Sequence, residues 1–178
     1  MTDKPKGKAV SIGAGLVLAS AGLMALVEKW ESSGDRVLTV YADKIAGGLP
    51  TVCNGLTRHV TDTPIIVGER WTDAKCEAEE KRAMVERVQK PLLRCFDQPP
   101  PQSVFDAASS MAWNVGAGRV CASNAMQAWD IGDWALGCRR MAFSDGGRPV
   151  WSYAGGKFYK GLNNRRVDEY NSCMRSVK

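Results

Sequence analysis

Residues 31–57 read ESSGDRVLTVYADKIAGGLPTVCNGLT and mark the passage from a helix to strands. Glu31 closes an apolar helical pattern, and the small residues 32–34 that follow it are typical of a helix end. Residues 38–43 then alternate apolar and polar side chains, which predicts a strand that ends at Asp43. Two carboxylates on different elements can face each other across a cleft, and hydrolysis of a glycosidic bond requires such a pair.

The next residues predict a second strand and a small β-lobe. Residues 47–50 contain two glycines and a proline, which is turn chemistry. Residues 51–53 are Thr, Val and Cys, a strand sequence that closes at the turn pair Asn54-Gly55. We therefore expect a β-lobe over residues 35–68.

The rest of the chain, residues 69–178, predicts a larger helical lobe, because apolar side chains recur there at helical spacing. The predicted elements are a helix from Thr72 to about Cys95 with a kink or a new turn at Pro91, a break at residues 99–101, a deeply buried helix over residues 104–112, a helical stretch over residues 124–143 broken at Gly132 and Gly137, a loop over residues 144–160 and a closing helix over residues 162–176. The fold class is thus α+β and mainly helical, with the small β-lobe between a first helix and the helical lobe.

An uncharged stretch precedes Glu31. Residues 9–27 contain no charged side chain over 19 positions, close to the shortest length that spans a bilayer. Three lysines precede it, which places its amino-terminal side in the cytoplasm and the rest of the chain in the periplasm. Ten of the 19 residues are Gly, Ala or Ser, so the segment is weakly hydrophobic and we expect the bilayer to hold it only weakly. We interpret residues 1–34 as a weak membrane-anchor helix that ends at Glu31 and later leaves the membrane.

Three other interpretations of this segment stay open. Ala19-Ser20-Ala21 fits the small-x-small rule for cleavage of a signal peptide. A permanent anchor is disfavoured by the weak hydrophobicity of the segment. An ordinary buried core helix would also be apolar, although it has no need of a lysine-rich flank.

Six dispersed cysteines indicate an oxidising compartment, where three disulfides could form; six buried free thiols in a cytosolic protein are the alternative. The six are Cys53, Cys76, Cys95, Cys121, Cys138 and Cys173, and their pairing cannot be deduced from their spacing. No Cys-x-x-Cys pair exists and His59 is the only histidine, so we expect no metal site and no cofactor. We interpret His59 as a structural residue.

The net charge of +5 bears on the partners of the chain. It fits ordinary solubility or attraction to a polyanion such as an anionic cell wall. No basic stripe is interleaved with aromatic side chains, so a nucleic-acid partner is not expected. No Gly-x-Ser-x-Gly nucleophile, phosphate loop or dinucleotide fingerprint is present to support another enzyme class.

The stretch from Glu31 to Thr57 resembles the active-site region of the phage-type lysozymes, the muramidases that phages use as endolysins. Residues 113–116, Trp-Asn-Val-Gly, are similar to the family's aromatic-Asn-x-Gly at the end of its buried helix. Residues 155–169, with a glycine pair, an arginine pair and a glutamate, are similar to its closing segment. The resemblance covers residues 29–178, and the weak anchor resembles that of signal-anchor-release endolysins.

This resemblance implies a lysozyme-like catalytic domain over residues 35–178. It implies hydrolysis of the β-1,4 bonds between N-acetylmuramic acid and N-acetylglucosamine in peptidoglycan, for lysis of the host cell. Glu31 would be the general acid, Asp43 its partner carboxylate and Thr51 the residue that holds the attacking water, with inversion at the anomeric carbon. Both intervals between these residues exceed the family pattern by a few residues, and the extra residues fall in turns, where a loop lengthens without moving its ends.

Other assignments remain possible at this point. Glu28 and Asp35 are rivals of Glu31 by position, and only the resemblance selects Glu31. A lytic transglycosylase would need the glutamate but neither Asp43 nor Thr51. A non-catalytic, membrane-tethered cell-wall-binding protein would not bring Glu31 and Asp43 together.

Four tryptophans are expected to pack in the core rather than to stack on sugar rings. They are Trp113, Trp129, Trp134 and Trp151. We expect a monomer whose partners are the glycan strands of peptidoglycan and, through residues 9–27, transiently the inner membrane. Its expected location is the periplasmic face of the host inner membrane, followed by release to the periplasm.

Overall fold

A computed structural model describes residues 15–31, 36–44 and 47–177. The helices are α1 (Ala21–Glu31), α2 (Asp73–Ala83), a π-helix (Met84–Gln89), α3 (Lys90–Leu93), α4 (Gln102–Val115), α5 (Ala117–Cys121), α6 (Asn124–Asp130), α7 (Trp134–Ala142), α8 (Lys160–Cys173) and a final 3-10 turn (Met174–Ser176). The strands are β1 (Val37–Asp43), β2 (Leu49–Cys53), β3 (Tyr153–Ala154) and β4 (Lys157–Phe158). The predicted class, α+β and mainly helical, is confirmed.

The β-lobe is built on the antiparallel pair β1–β2, in which Tyr41 lies opposite Thr51 and Asp43 lies opposite Leu49. The other edge of β1 bonds to the chain just before α2, where the Trp71 N–H donates to the Leu38 carbonyl at 2.8 Å. Apolar side chains of both strands pack on one face against Trp71, which is almost fully buried. The lobe therefore has a small hydrophobic core of its own.

The helical lobe is centred on α4. Small side chains at residues 107–110 of this helix are fully buried, which allows α1 and α8 to approach it closely. The predicted deep burial of this helix is confirmed. Leu23 and Val27 of α1 also lie in the core beside α4.

Four local expectations can be compared with the structure, and those for Gly137 and for residues 144–160 need correction or completion. Gly137 does not break a helix: it lies inside α7, where a Cβ atom would fall 2.1 Å from the Trp129 indole, so glycine is required for close packing. Gly132, with φ of +82°, does form the expected turn. The new turn expected at Pro91 is found, since α3 begins there after the π-helix. The loop predicted over residues 144–160 contains the hairpin β3–β4.

The six cysteines form three disulfides, Cys53–Cys76, Cys95–Cys121 and Cys138–Cys173. The first ties β2 of the β-lobe to α2, and the third ties α7 to α8 within the helical lobe. The expectation of three disulfides is confirmed, and the alternative of six free thiols is wrong.

The amino-terminal segment is only partly helical in this state. The described residues 15–20 form turns, and α1 begins at Ala21. The predicted helix is thus wrong for residues 15–20, and residues 9–14 of the uncharged stretch 9–27 lie outside the described residues. In the part of the chain that the structure describes, no helix combines the length and the apolar character needed to cross a membrane.

Candidate active site

Glu31 is the last residue of α1, and α1 places it at the boundary between the two lobes. Its side chain is 26% exposed, so the carboxylate is accessible but partly enclosed. Arg165 Nη1 of α8 donates to Glu31 Oε1 at 2.7 Å. A charged hydrogen bond of this kind fixes the direction in which the carboxylate points.

Arg165 belongs to a buried polar network. Its Nε donates to Glu169 Oε1 at 3.2 Å, and its Nη2 donates to the Ser110 carbonyl oxygen at 3.3 Å. Glu169 is fully buried and also accepts from the Ser110 hydroxyl at 2.8 Å and from Arg166 at 3.0 Å. Burial raises the pKa of the Glu169 carboxyl, and the two guanidinium groups oppose that shift. These partners compensate the cost of burying charge, so the network holds Arg165 in one position.

Glu31 lines a cavity of about 470 Å³ between the lobes. The other lining residues are Asn54, Gly55, His59 and Val60 on the side of the β-lobe, and Arg87, Val88, Ala112, Trp113, Gly116 and Ala117 on the helical side. The cavity is open to solvent, polar at Glu31 and apolar at Trp113. Such a cleft suits sugar rings, which present apolar faces and polar edges.

Asp43 and Thr51 lie on the β1–β2 hairpin, and neither is among the residues that line this cavity. The Asp43 carbonyl accepts from the Gly48 N–H at 2.6 Å, which closes the turn after β1. Thr51 is buried, and its hydroxyl donates to the Leu49 carbonyl at 3.0 Å. The structure thus brings Glu31 to the cleft, while the roles of Asp43 and Thr51 stay predictions.

A second cavity of about 260 Å³ lies at the turn of the β1–β2 hairpin. It is lined by residues 47–50, Arg58 and His59, and His59 also lines the cavity of Glu31. His59 is exposed rather than buried. His59, interpreted from the sequence as a structural residue, therefore also lies on the cleft wall.

Trp113 packs against the hydrophobic cores of both lobes, as expected, and it also lines the cleft. It lies in the last turn of α4 and is half-buried. Trp129, in contrast, is fully buried as predicted, and Trp134 and Trp151 pack against the core. The motif at residues 113–116 was the available signal for Trp113, because it ends α4 at the cleft.

The positional rivals of Glu31 are placed elsewhere. Glu28 lines a neighbouring cavity of about 300 Å³ with Arg36 and Glu80, and Arg36 Nη2 lies 4.0 Å from its carboxylate. Asn54 and Trp113 line both this cavity and that of Glu31. Burial raises the pKa of the Glu80 carboxyl in that cavity. Asp35 lies outside the described residues. Within the described part of α1, Glu31 is thus the carboxylate at the cleft.

Comparison with solved structures shows that the fold is that of a lysozyme. The endolysin from Escherichia coli O157:H7 phage FAHEc1 matches with a TM-score of 0.70 at 23% identity, over 92% of this chain and 97% of that chain. A mutant of P22 lysozyme matches with a TM-score of 0.72 at 20% identity, over 89% of this chain and 99% of that chain.

Sequence comparison defines the group more narrowly. The Phage lysozyme family model matches residues 28–169. The SAR-endolysin of Enterobacteria phage P21 is 29% identical over 171 residues, 95% of this chain and 94% of that protein. The SAR-endolysin of Bacteriophage PS119 is 30% identical over 134 residues, 75% of this chain and 72% of that protein. The chain belongs to the phage lysozyme family, and it is a peptidoglycan-hydrolysing endolysin of the signal-anchor-release type.

Proposed function

We propose that the chain hydrolyses the β-1,4 bond between N-acetylmuramic acid and N-acetylglucosamine, with Glu31 as the general acid. The observation that carries this proposal is the position of Glu31, which lines the cleft between the lobes while Arg165 orients its carboxylate at 2.7 Å. A general acid must stand within hydrogen-bond reach of the leaving oxygen, and a fixed carboxylate on a cleft wall meets that condition.

The reaction needs one proton for the leaving oxygen and one water for the anomeric carbon. Glu31 gives its proton to the glycosidic oxygen as the bond from the anomeric carbon to that oxygen breaks. The water attacks the anomeric carbon from the opposite face and passes a proton to Asp43, so the configuration inverts. Solvent then returns a proton to Glu31 and takes one from Asp43, which completes the cycle.

Thr51 would hold the attacking water. Its hydroxyl proton is donated to the Leu49 carbonyl, which leaves the hydroxyl oxygen as an acceptor for a proton of the water. The hairpin that carries Asp43 and Thr51 lies next to the cleft, since the cavity at its turn shares His59 with the cavity of Glu31. This neighbourhood supports the assignment of both residues to the water side of the reaction.

Substitutions that remove the carboxyl groups of Glu31 and Asp43 and the hydroxyl group of Thr51 test these catalytic roles. Glu31→Gln keeps the size of the side chain but has no proton to transfer, so we expect the rate on purified cell walls to fall by roughly 10²–10⁴. Asp43→Asn should also lose activity, and more of it than Thr51→Ala. Asp145→Asn, the same carboxyl-to-amide change at an exposed residue after α7 and away from the cleft, is the matched control and should retain activity. A Glu31→Gln enzyme that clears walls at the wild-type rate would remove Glu31 from the mechanism.

Product analysis separates hydrolysis from its alternative. Hydrolysis leaves a reducing N-acetylmuramic acid end, whereas a lytic transglycosylase leaves an anhydro end. Proton NMR of early products should show the α-anomer, because the bond cleaved is β and the reaction inverts. Anhydro ends would establish the transglycosylase instead.

We further propose that residues 9–27 first hold the enzyme in the inner membrane and then leave it for the periplasm. The support lies in the described half of this segment. Leu23 and Val27 are apolar enough for lipid, yet they are buried in the core beside α4. The same two side chains can therefore be covered by lipid before release and by the helical lobe after it.

The helical lobe also carries polar partners for the segment. Gln89, Gln102 and Asp106, which we call the clasp, bind residues 17–20. Gln102 accepts from the Val17 N–H at 2.8 Å and donates to the Val17 carbonyl at 3.0 Å, while Gln89 accepts from the Ala19 N–H at 2.8 Å. Ala19 has a φ of +44°, so a continuous helix cannot pass through it in this state. The clasp satisfies backbone groups that a membrane helix would satisfy internally.

A pair of leucine substitutions tests release. Gly22 and Ala25 are exposed on α1, and a Cβ at Gly22 meets no atom closer than 3.9 Å, so Gly22→Leu with Ala25→Leu leaves the released fold room. We expect this variant to stay in the membrane when an uncoupler collapses the membrane potential, whereas wild type appears in the soluble periplasm with its activity. Gly22→Ser with Ala25→Ser is the control and should be released. Release of the leucine variant at the wild-type rate, or a mature protein that begins near Gly22, would contradict the weak-anchor proposal.

A further inference from the structure

The hairpin β3–β4 presents aromatic rings to solvent. Tyr153, Phe158 and Tyr159 are 52%, 42% and 45% exposed, and the rings of Tyr153 and Phe158 meet edge to face with centroids 5.5 Å apart. Lys157 Nζ lies 5.8 Å from the centre of the Tyr159 ring. We call Tyr153, Lys157, Phe158, Tyr159 and Lys160 the aromatic hairpin.

The base of this hairpin is rigid. Ser152 is fully buried, and its hydroxyl donates to the Val150 carbonyl at 3.0 Å and lies 3.3 Å from Asn163 Oδ1 of α8. The Ser152 carbonyl accepts from the Tyr159 N–H at 2.8 Å. Trp151, just before it, has a φ of +56°, which costs a bulky residue of this type about 1–3 kcal/mol. The strained backbone at Trp151 turns the chain at this point, and the rings of the hairpin that follows face solvent.

The packing of α8 places the aromatic hairpin at the Glu31 end of the molecule. Arg165 of α8 contacts Glu31 at the carboxyl end of α1, and Lys29 pairs with Asp168 one turn earlier, so the two helices run antiparallel. Lys160 begins α8 five residues before Arg165, about 7.5 Å further along the axis. The hairpin therefore lies beyond Glu31 and away from residues 15–20, which lead to the membrane anchor.

The charge of the segment favours an acidic partner. Residues 146–160 contain three basic side chains, Arg148, Lys157 and Lys160, all of them exposed, and no Asp or Glu. Peptidoglycan carries free carboxylates on the peptides attached to its muramic acid, and its sugar rings have apolar faces that stack on aromatic rings. The positive charge, the exposed aromatic rings and the position of the hairpin all favour a peptidoglycan strand as the ligand.

We infer that the aromatic hairpin is a second contact for the peptidoglycan strand outside the cleft, with sugar rings on Tyr153 and Tyr159 and peptide carboxylates at Lys157 and Lys160. The inference rests on the proposed function for its ligand, because the strand held by the hairpin is the strand cleaved at Glu31. A contact beyond the cleft would keep the enzyme on polymeric walls between cuts and would add nothing to cleavage of a short oligosaccharide.

Binding without turnover tests the contact. In full-length protein carrying Glu31→Gln, we would measure pelleting with purified sacculi for the triple change Tyr153→Ser, Phe158→Ser and Tyr159→Ser, and separately for Lys157→Gln with Lys160→Gln. We expect the triple variant to bind roughly tenfold or more weakly, as loss of clustered aromatic contacts does elsewhere, and the lysine variant to bind more weakly with less dependence on salt. Ile131→Ser and Arg94→Gln, both exposed elsewhere, are the controls and should bind as the parent does.

Activity provides a second readout. With Glu31 restored, both hairpin variants should cleave a soluble tetrasaccharide at the wild-type rate but show a raised KM on sacculi. Unchanged sacculus binding in both variants would overturn the inference. Loss of tetrasaccharide cleavage would also overturn it, because that loss indicates a structural role for the hairpin. Binding to vesicles of phosphatidylethanolamine and phosphatidylglycerol is measured in parallel, and a loss of binding seen only with these vesicles would overturn the inference by indicating a lipid contact. If Glu31→Gln alone left tetrasaccharide cleavage intact, the proposed catalysis would fail while the binding comparison would still stand.

Discussion

Two ion pairs join α1 to α8, and they differ in burial. Arg165, with a side chain 5% exposed, pairs with Glu31 and with the fully buried Glu169, whereas Lys29 pairs with Asp168 at the surface. Arg165→Leu should lower the free energy of unfolding by about 3–5 kcal/mol, because it leaves Glu169 buried with one guanidinium instead of two. Lys29→Gln should cost about 1 kcal/mol or less. Urea unfolding measures both, and equal losses would show that burial of the Arg165 network adds nothing.

For single residues, the motifs of the sequence predicted which side chains matter but not which distant side chains they contact. Glu31 reaches the cleft as predicted, but its placement depended on resemblance, since Glu28 has the same chemistry. The contact with Arg165 spans 134 residues, and no local pattern encodes such a distance. The places of His59 and Trp113 on the cleft wall could not be predicted, because exposure at a cleft depends on how two lobes meet, which composition and periodicity do not describe.

The elements themselves were largely predictable. The small β-lobe, the buried α4 and the closing helix all follow from hydrophobic periodicity. Gly137 was misread because its role is a contact with Trp129 in another helix, and a helix-breaking preference is the only local signal a glycine gives. Strands β3 and β4 have two residues each, which is too short for alternation to show.

The clasp gives the docked amino-terminal segment a dependence on pH. Asp106 accepts from the Ser20 hydroxyl at 2.7 Å and from Gln102 at 2.7 Å, and burial raises the pKa of its carboxyl despite these hydrogen bonds. A group whose pKa is higher in the folded state contributes most below its ordinary pKa, about 3.9 for Asp, and that contribution is lost as pH rises through the raised pKa. Docking of residues 17–20 should therefore weaken as the medium moves from acidic towards neutral.

Asp106→Asn tests this sign. Its side chain has the same size and does not titrate, so the free energy of unfolding of the variant should rise relative to wild type as pH increases above about 4. Denaturant unfolding at a series of pH values measures the difference. A difference that is constant with pH would mean that Asp106 titrates alike in the folded and unfolded chains. Asp145→Asn is a useful comparison, because its contact with Arg140 lowers the pKa of Asp145 and the expected slope has the opposite sign.

The whole molecule depends on covalent links whose existence, but not whose pairing, could be predicted. The even count of cysteines indicated export and disulfides, whereas the pairing requires the tertiary contacts β2–α2, α3–α5 and α7–α8. The two lobes likewise followed from the sequence, while the cleft between them required their mutual packing. Disulfide pairing and the shape of the cleft depend on contacts between distant residues, so local sequence patterns do not predict them.

The disulfide Cys138–Cys173 should matter most to the whole molecule. It spans 35 residues, the longest separation of the three, and ties α7 to the helix that carries Arg165. Loop-closure entropy predicts a stabilisation of about 4 kcal/mol for this link and slightly less for Cys53–Cys76, which spans 23 residues. Urea unfolding of Cys138→Ala with Cys173→Ala should show that loss, together with reduced activity, because α8 then holds Arg165 less firmly.

Both cysteines are fully buried, so alanine also removes packing. Wild-type protein treated with a reductant separates the two effects, since it loses the links and keeps the sulfur atoms. A reduced protein that unfolds at the same urea concentration as the oxidised one would exclude the links as a source of stability. A reduced protein that unfolds earlier and regains activity on reoxidation would establish that folding of this endolysin is completed by oxidation.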